Sequence, residues 1–449
     1  MPAMPSSLTA ILSLLRPAFT VPTFQTFEAL VAGFIGRVGE HTVCGMWQAA
    51  RLAGRLHHSR AHDFFARAVW CPDRLGLLLL DFLLERFTDP RGPITLAVDG
   101  SVFRRSGRRV HGTSWHHDSS AAPGGGGGGL KFGNCFVVVG LVVRIAALGE
   151  RAWCLPVLFR LWLPSAKPTT ANPNPPKRPS QQDLAAVLVE KVAERYPERR
   201  IDVTGDAAFA CGAMAPASDR ISLTSRLRCN AVIHATKPKP TGKRGRPRVK
   251  GRRLGTPTEI AARSEAGEWR RLSVPGRGEV MALTVSGLWY SVLGPRAVRV
   301  VIVREPTDAE DYRIALITTD LQAGVAEIIA RYADRWSIEV CFQDAKQTVG
   351  AGEARNRVRP AVERTVPFGL LCQSVAIAWY ALNADPAADI NRRRREAPWY
   401  SQKRDPSMLD VLSALRRELI RAEFRQPARR APSPREIPTC PRPRLRAAA

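Results

Sequence analysis

The stretch 332–346, YADRWSIEVCFQDAK, constrains the fold most, because it predicts an α-helix with two distinct faces. Apolar residues at three- and four-residue steps predict a face that docks on a core: Ile338, Cys341, Phe342, Ala345 and Val349. Beside that face, a continuous helix would bring four functional side chains within an arc of roughly 60°: Tyr332, Arg335, Glu339 and Lys346. A carboxylate among cations suits a metal-bound phosphodiester, because the acid holds the metal and the cations bind phosphates. The alternative is a surface helix in which Glu339 simply pairs with Arg335.

The spacing Tyr-x2-Arg-x3-Glu-x6-Lys resembles the signature of bacterial insertion-sequence transposases of the DDE type, which have an RNase H-like catalytic core. The resemblance implies that Glu339 is the third catalytic acid and that Tyr332, Arg335 and Lys346 contact DNA phosphates near the cut. It extends upstream, where LAVDGS looks like the first-aspartate strand and TGDAAFA like the second, which implies Asp99 and Asp206 as the other acids.

The residues themselves also favour these aspartates. Asp99 closes a short β-rich run at 93–100, and Asp206 falls at the end of another within 200–212. An acid at the end of a buried strand points into a pocket at the sheet edge. Asp202 would share a strand face with Asp206, but Asp206 is followed by small alanines that leave room for a metal and a phosphate. The alternative for Asp99 is a structural Asx turn before a glycine.

Three acids of this kind suffice to hold two divalent ions ~4 Å apart when phosphate and water complete the coordination. Oxygen ligands favour Mg²⁺ or Mn²⁺. We therefore expect Asp99, Asp206 and Glu339 to be the metal ligands, and Arg335 and Lys346 to neutralise the scissile region.

The charge of the whole chain predicts a polyanionic partner. Lys and Arg number 67 against 40 acids in 449 residues, for a net charge of +27. No membrane partner is expected, because the apolar runs at 75–84 and 137–148 carry a charge and fall short of the ~20 residues needed to span a bilayer. Nine scattered cysteines without a Cys-x-x-Cys pair favour reduced, buried thiols in a cytoplasm. The resemblance to bacterial transposases implies that this cytoplasm is bacterial and that the protein is associated with the nucleoid.

The order of patterns predicts an α/β fold: an RNase H-like mixed-sheet core with a β-rich insertion and an N-terminal helical domain. The patterns predict that residues 1–90 are helical. Two short helices around Gly54 could form a DNA-binding helix-turn-helix with 59–69 as its second helix, and the alternative is a pair of helices that only pack together. We then expect the first part of the core at 91–226, followed by the β-rich insertion and its return to the core at 227–320. The signature helix and the completion of the core follow at 321–384, and a basic C-terminal tail at 385–449.

Two loops lie outside the family pattern. Residues 111–129 contain six consecutive glycines together with His111, His116 and His117. These histidines, with Asp118 and Cys135 nearby, could bind zinc. The alternative is a loop that contacts DNA or makes no contact. Residues 236–253 carry nine Lys or Arg and no acid, so we expect them to be disordered when free of DNA.

The resemblance and the charge together predict a transposase, which cleaves transposon ends with a metal and transfers the free 3′-hydroxyl into target DNA. Its partners would be double-stranded DNA, as terminal inverted repeats and target, and further copies of itself in a synaptic dimer or higher oligomer. One alternative is a domesticated DNA-binding protein without catalysis, which the presence of all the signature residues and the adjoining Trp336 disfavours. The other is an RNase H-like nuclease without strand transfer.

Overall fold

The computed structural model describes residues 4–117, 129–165, 170, 173–238, 248–307 and 312–424. Its α-helices are α1 Ser6–Ser13, α2 Val21–Gly36, α3 Val43–Ala49, α4 Ser59–Ala66, α5 Pro72–Phe87, α6 Gln181–Arg195, α7 Pro257–Arg263, α8 Tyr290–Leu293, α9 Val325–Asp334, α10 Ser337–Asp344, α11 Arg359–Asn383, α12 Pro386–Glu396 and α13 Met408–Phe424. Its strands are β1 Ile94–Arg104, β2 Ser114–His117, β3 Leu130–Arg144, β4 Ala152–Trp162, β5 Ile201–Gly205, β6 Ile221–Arg226, β7 Ile233–His234, β8 Arg253–Gly255, β9 Arg270–Val274, β10 Gly278–Leu288, β11 Ala297–Arg304 and β12 Ile314–Thr318. The chain is thus a mixed α/β protein, as predicted.

One mixed sheet runs through the described residues, with the order β2-β3-β1-β5-β6-β12-β11-β10-β7-β8. β4 pairs with β3, and β9 pairs with β10. β1, β3 and β4 form an antiparallel meander, whereas β5 pairs in parallel with both β1 and β6. The order of three strands, helix α6 and β5 agrees with the sequence prediction, but residues 206–220 hold a turn and the 3₁₀ segment Gly212–Met214 where an α-helix was expected.

The N-terminal helices pack against the long helix α11 and do not form a separate core. Phe27 and Phe65 both meet Phe368 of α11 edge to face, with ring centroids 6.0 and 5.3 Å apart. Their apolar side chains belong to one buried cluster with those of β1, β3 and β4. The predicted helix-turn-helix is wrong in its geometry: residues 50–58 separate α3 from α4, a longer connection than the three- or four-residue turn of that motif.

Helix α11 was overlooked in the sequence. Within the described residues it is the one helix long and apolar enough to cross a membrane, but 89% of its apolar window is buried inside the protein. Such burial is typical of a core helix, so its composition is weak evidence for a membrane span. Pro367 lies inside it and is buried.

Strands β7 to β12 correspond to the predicted β-rich insertion, and they extend the core sheet at β6. β12 pairs antiparallel with β6, so Thr318 lies opposite Thr224. Separate apolar clusters pack around these strands, one of them against α9. The five-part division of the chain remains a prediction.

The cysteines only partly follow expectation. The eight in the described residues are free, but Cys44, Cys71 and Cys229 are exposed. The C-terminal helix predicted at 407–424 is α13, whereas residues 425–449 and 239–247, within the tail and the basic loop, lie outside the described residues.

Candidate active site

Asp99 and Asp206 are brought side by side by the pairing of β1 with β5. The two strands pair in parallel from Ile94 opposite Ile201 to Ala97 opposite Thr204, and the same offset continued by two residues sets Asp99 level with Asp206. Adjacent strands lie about 4.8 Å apart, and residues in register on them face the same side. Asp99 is not at a strand end as predicted, because β1 continues to Arg104 by pairing with β3. The parallel pairing of β1 with β5, however, ends at Ala97, two residues before Asp99.

Asp206 follows the last residue of β5 and is fixed through its own backbone. Its carbonyl oxygen accepts a hydrogen bond from Ser225 Oγ at 2.7 Å. Its side-chain Oδ1 accepts from the Ala208 N–H at 2.9 Å, an Asx-type turn that orients the carboxylate. The site is therefore held by β6 as well as by β5.

The stretch 332–346 is helical throughout but is not the single α-helix predicted. α9 ends at Asp334, α10 starts at Ser337, and Ala345–Val349 form a π-helical turn. Between the two helices the hydrogen bonds tighten, with the Arg335 N–H donating to the Tyr332 carbonyl and the Trp336 N–H to the Ala333 carbonyl. The predicted apolar face is correct: its five residues are all buried. Changes of helical type within a helix often mark functional sites.

Arg335 and Glu339 form an ion pair inside the site. Arg335 Nη2 donates to Glu339 Oε1 at 2.8 Å, and the arginine is only 6% exposed. The other two guanidinium nitrogens, Nε and Nη1, are buried without a hydrogen bond of good geometry to any described residue. A buried guanidinium with unused donors is costly unless an acceptor such as a phosphate oxygen completes it. The ion pair between Glu339 and Arg335, which the surface-helix alternative predicted, is thus present, but its arginine is buried and not on the surface.

The electrostatics connect all three acids. The pKa of Asp99 is raised to about 7, first by burial and then by the carboxylate of Asp206, with Glu339 adding to the same effect. The Gly100 N–H, which donates to Asp99 Oδ1 at 2.7 Å, and the Arg335 guanidinium oppose that rise. A carboxyl group whose pKa is perturbed by burial and by neighbouring carboxylates is typical of functional sites.

Lys346 also reaches this part of the sheet. Its Nζ donates to Ser101 Oγ at 2.7 Å and lies 5.3 Å from the centre of the Phe103 ring. Ser101 is two residues beyond Asp99, so both side chains leave β1 on the same face. Sequence reasoning missed Ser101, although its place two residues after the first aspartate was a signal.

Tyr332 lies beside Arg335, whose guanidinium carbon is 5.3 Å from the ring centre. Burial raises the pKa of the Tyr332 phenol, while Arg335 and Arg226 lower it and Asp206 raises it. Arg226, the exposed last residue of β6, is therefore a further cation near the site that the sequence did not reveal. The structure thus assembles Asp99, Asp206, Glu339 and the three predicted DNA-contacting residues around the middle of β1 and the C-terminal end of β5.

Asp202, the aspartate set aside in favour of Asp206, belongs to a buried ion network. It accepts from Ser222 Oγ at 2.7 Å and lies 3.1 Å from Arg331. Arg331 also reaches Asp320 at 3.3 Å, and all three charged side chains are nearly inaccessible to solvent. Asp202 thus links β5 to α9, the helix that ends just before Arg335, and sequence reasoning did not predict this link.

The donor set fits divalent cations by its chemistry, since it consists of carboxylate oxygens and the mutual repulsion at Asp99 would be relieved by a positive ion. The carboxylates are farther apart than the ligands of a metal centre, because no three His, Cys, Asp or Glu side chains among the described residues are grouped closely enough to hold a metal. Glu339 is engaged by Arg335 instead. The zinc alternative gains no support either, because His116 Nε2 is within hydrogen-bond distance of Ser114 Oγ and the Gly133 carbonyl, while Asp118 lies outside the described residues.

A family model described as DDE superfamily endonuclease matches residues 14–279, more than half of the chain. The match includes Asp99 and Asp206 and ends before Glu339. No curated protein matches the chain. The family description implies a nuclease-type enzyme with a DNA substrate, and such endonucleases use divalent metal ions. On this match, the chain belongs to the DDE superfamily of endonucleases.

Proposed function

We propose that this protein is a DNA transposase that cleaves the ends of a bacterial insertion sequence and transfers the released 3′-hydroxyl to target DNA. The observation that carries the proposal is the convergence of Asp99, Asp206 and Glu339, which share one electrostatic environment although they come from two strands and a separate helix. The strand order β4-β3-β1-β5-β6, an antiparallel meander followed by parallel strands, supports an RNase H-like core.

In this proposal Asp99, Asp206 and Glu339 would hold two Mg²⁺ or Mn²⁺ ions. The ions would supply an activated water or hydroxyl and stabilise the leaving oxygen. The protein's own cations bind the DNA. Arg335 donates from its two unused buried nitrogens to a phosphate oxygen, and Lys346, held at Ser101, neutralises a second phosphate. Tyr332, whose ring centre lies 5.3 Å from the Arg335 guanidinium carbon, is a further DNA contact beside that arginine.

The remaining parts of the proposal follow from the same function. Double-stranded DNA with terminal inverted repeats would be the substrate, and a homodimer or larger synaptic complex would bring two ends together. We place the protein in the bacterial cytoplasm at the nucleoid, where its DNA is.

The test is cleavage of DNA that carries the sequences flanking the gene, with Mg²⁺, by wild type and by Glu339→Gln. We expect the wild type to nick at the element boundary and to join the end to a target plasmid. We expect Glu339→Gln to bind the same DNA but not to cut it. A matched control is Glu363→Gln, since Glu363 pairs with Arg359 at 3.0 Å with the same four-residue spacing on α11.

Each rival predicts a different outcome. Cleavage without joined product would favour a nuclease without strand transfer. Binding without cleavage by the wild type would favour a DNA-binding protein that has lost catalysis. Inverted repeats and short target duplications around the gene would distinguish an insertion sequence from both.

A further inference from the structure

A surface with two exposed aromatic rings and several arginines lies in the C-terminal part, formed by α12 and the 3₁₀ turn Pro398–Tyr400. Trp399 is 76% exposed and Tyr400 is 49% exposed. We call it the Arg–Trp surface and define it by Arg392, Arg393, Arg395, Trp399, Tyr400 and Arg404. Large exposed aromatic side chains at adjacent positions are uncommon on proteins without a partner for them.

The loop that presents these rings is fixed by other residues. Arg394 donates from Nε to the Lys403 carbonyl at 3.0 Å, and Lys403 pairs with the nearly buried Asp410 at 2.9 Å. Ala397 is buried between the helix and the turn. Because these contacts hold the loop from beneath, the exposure of Trp399 is not that of a loose segment.

The two rings lie close to each other, and one of the arginines lies close to the Tyr400 ring. The Trp399 and Tyr400 rings lie 6.2 Å apart, and the guanidinium carbon of Arg393 is 5.8 Å from the centre of the Tyr400 ring. Arg395 and Arg404 are exposed nearby, against the exposed carboxylates of Glu396 and Asp405. These two arginines and the half-buried Arg392 and Arg393 outnumber the two exposed acids and the nearly buried Asp389, which lies 3.8 Å from Arg392, so the surface is net positive.

We propose that the Arg–Trp surface binds single-stranded DNA, with unpaired bases stacked on Trp399 and Tyr400 and phosphates bound by the arginines. Aromatic side chains flanked by cations are the usual means of binding single strands without sequence preference. A duplex would engage only the cations, because its bases are already stacked, and would leave the rings unused. A second copy of this chain is disfavoured as the occupant, since it carries the same net charge of +27.

This inference rests on the proposed function, because unpaired DNA would arise at a cleaved or distorted transposon end. Its test does not need catalysis. Full-length protein in EDTA is titrated into a fluorescent single strand of about 16 nucleotides and into the matching blunt duplex. The variants are Trp399→Phe, Trp399→Leu and the double change Trp399→Leu, Tyr400→Leu, and their melting curves establish that they fold.

We expect the double leucine variant to bind the single strand at least about tenfold more weakly, because both of the rings on which bases stack are removed. Duplex affinity should change by less than about twofold, and Trp399→Phe should retain most of the affinity because it keeps a ring. Trp115→Leu, which removes an indole that is 67% exposed on β2, is the matched control.

Unchanged single-strand affinity in the double leucine variant would overturn the inference. So would a change in sedimentation with no change in DNA affinity, which would assign the surface to contact between copies. Absence of cleavage by the wild type in Mg²⁺ would count against the proposed function alone, since binding in EDTA is measured independently.

Discussion

Arg335 donates a hydrogen bond from Nη2 to Oε1 of Glu339 across 2.8 Å, so the third acid of the site is bound by a buried cation. The same arginine lowers the pKa of Asp99, which shows that its charge is felt across the whole group of acids. A divalent ion entering the site would therefore compete with Arg335 for Glu339. Under the proposed function, the arginine is therefore both a DNA contact and a counter-ion of the three carboxylates.

Replacing Arg335 with Gln should strengthen metal binding and weaken cleavage. Removing one unit charge about 4 Å from a divalent ion is worth about 2 kcal/mol at high dielectric, or about thirtyfold in affinity for Ca²⁺. Calorimetry of Ca²⁺ binding without DNA measures the first effect, and single-turnover cleavage in Mg²⁺ measures the second. Metal affinity that stays the same or falls in a folded Arg335→Gln protein would contradict the competition.

The raised pKa of Asp99 predicts a pH-dependent cost to the metal-free fold. The pKa of Asp99 is about 7 in the folded protein against an ordinary value of 3.8. Below about pH 4 the carboxyl is protonated in both the folded and the unfolded state, so the folded state has its full stability. That stability is lost progressively as the pH rises through about 7, because the buried carboxyl must then ionise. Asp99→Asn should therefore gain stability over wild type as the pH rises, by at most about 4 kcal/mol above neutrality. Denaturant unfolding of both proteins in EDTA across this pH range measures the effect. A difference in free energy of unfolding that does not depend on pH would count against the prediction.

Lys346→Ala should reduce cleavage and joining with little effect on thermal stability. Lys346 is exposed and its Nζ donates to the buried Ser101, and one hydrogen bond of this kind contributes about 1 kcal/mol. Ser101→Ala is the matched control, because it removes the same hydrogen bond while keeping the cation. We expect single-turnover rates to fall at least tenfold for Lys346→Ala and little for Ser101→Ala, since phosphate binding depends on the charge. A Lys346→Ala protein with wild-type rates would refute a role in DNA binding.

The basic segment 236–253 should contribute to DNA affinity through counterion release. It carries nine cations and no acid, and each phosphate neutralised adds about −0.9 to the slope of log K against log salt. A variant lacking 239–247, the part outside the described residues, should show a slope flatter by two or more units. Binding of end DNA at several salt concentrations measures this. An identical slope would mean that the segment makes no phosphate contacts.

Asp202 should be essential for stability and not for metal binding. It is 1% exposed and pairs with the equally buried Arg331, and removing one partner of a buried pair costs about 3–5 kcal/mol. Asp202→Asn should therefore lower the free energy of unfolding by several kcal/mol, whereas Glu363→Gln, in the exposed pair with Arg359, should cost at most about 0.5 kcal/mol. Ca²⁺ binding by the folded fraction of Asp202→Asn should remain normal. Loss of metal binding without loss of stability would reverse the choice between Asp202 and Asp206.

Much of the candidate site was predictable from the sequence, because local patterns record which residues share a helix or end a strand. The spacing of Tyr332, Arg335, Glu339 and Lys346 predicted one functional stretch, and its apolar face is buried as predicted. The apolar β runs also located β1, β3, β4 and β5, because strands that are buried on both faces are predominantly apolar.

Only the tertiary structure decided what these elements meet. The register that levels Asp99 with Asp206 depends on hydrogen bonds between strands more than a hundred positions apart, and no local pattern encodes such an offset. For the same reason the sequence did not show that β1 passes beyond Asp99, nor that Asp202 is neutralised by Arg331 from another element. The sequence therefore determined which side chains are candidates for the chemistry. Long-range strand pairing and burial decided that Asp99, Asp206 and Glu339 influence one another electrostatically, whereas Asp202 is held in a buried ion network.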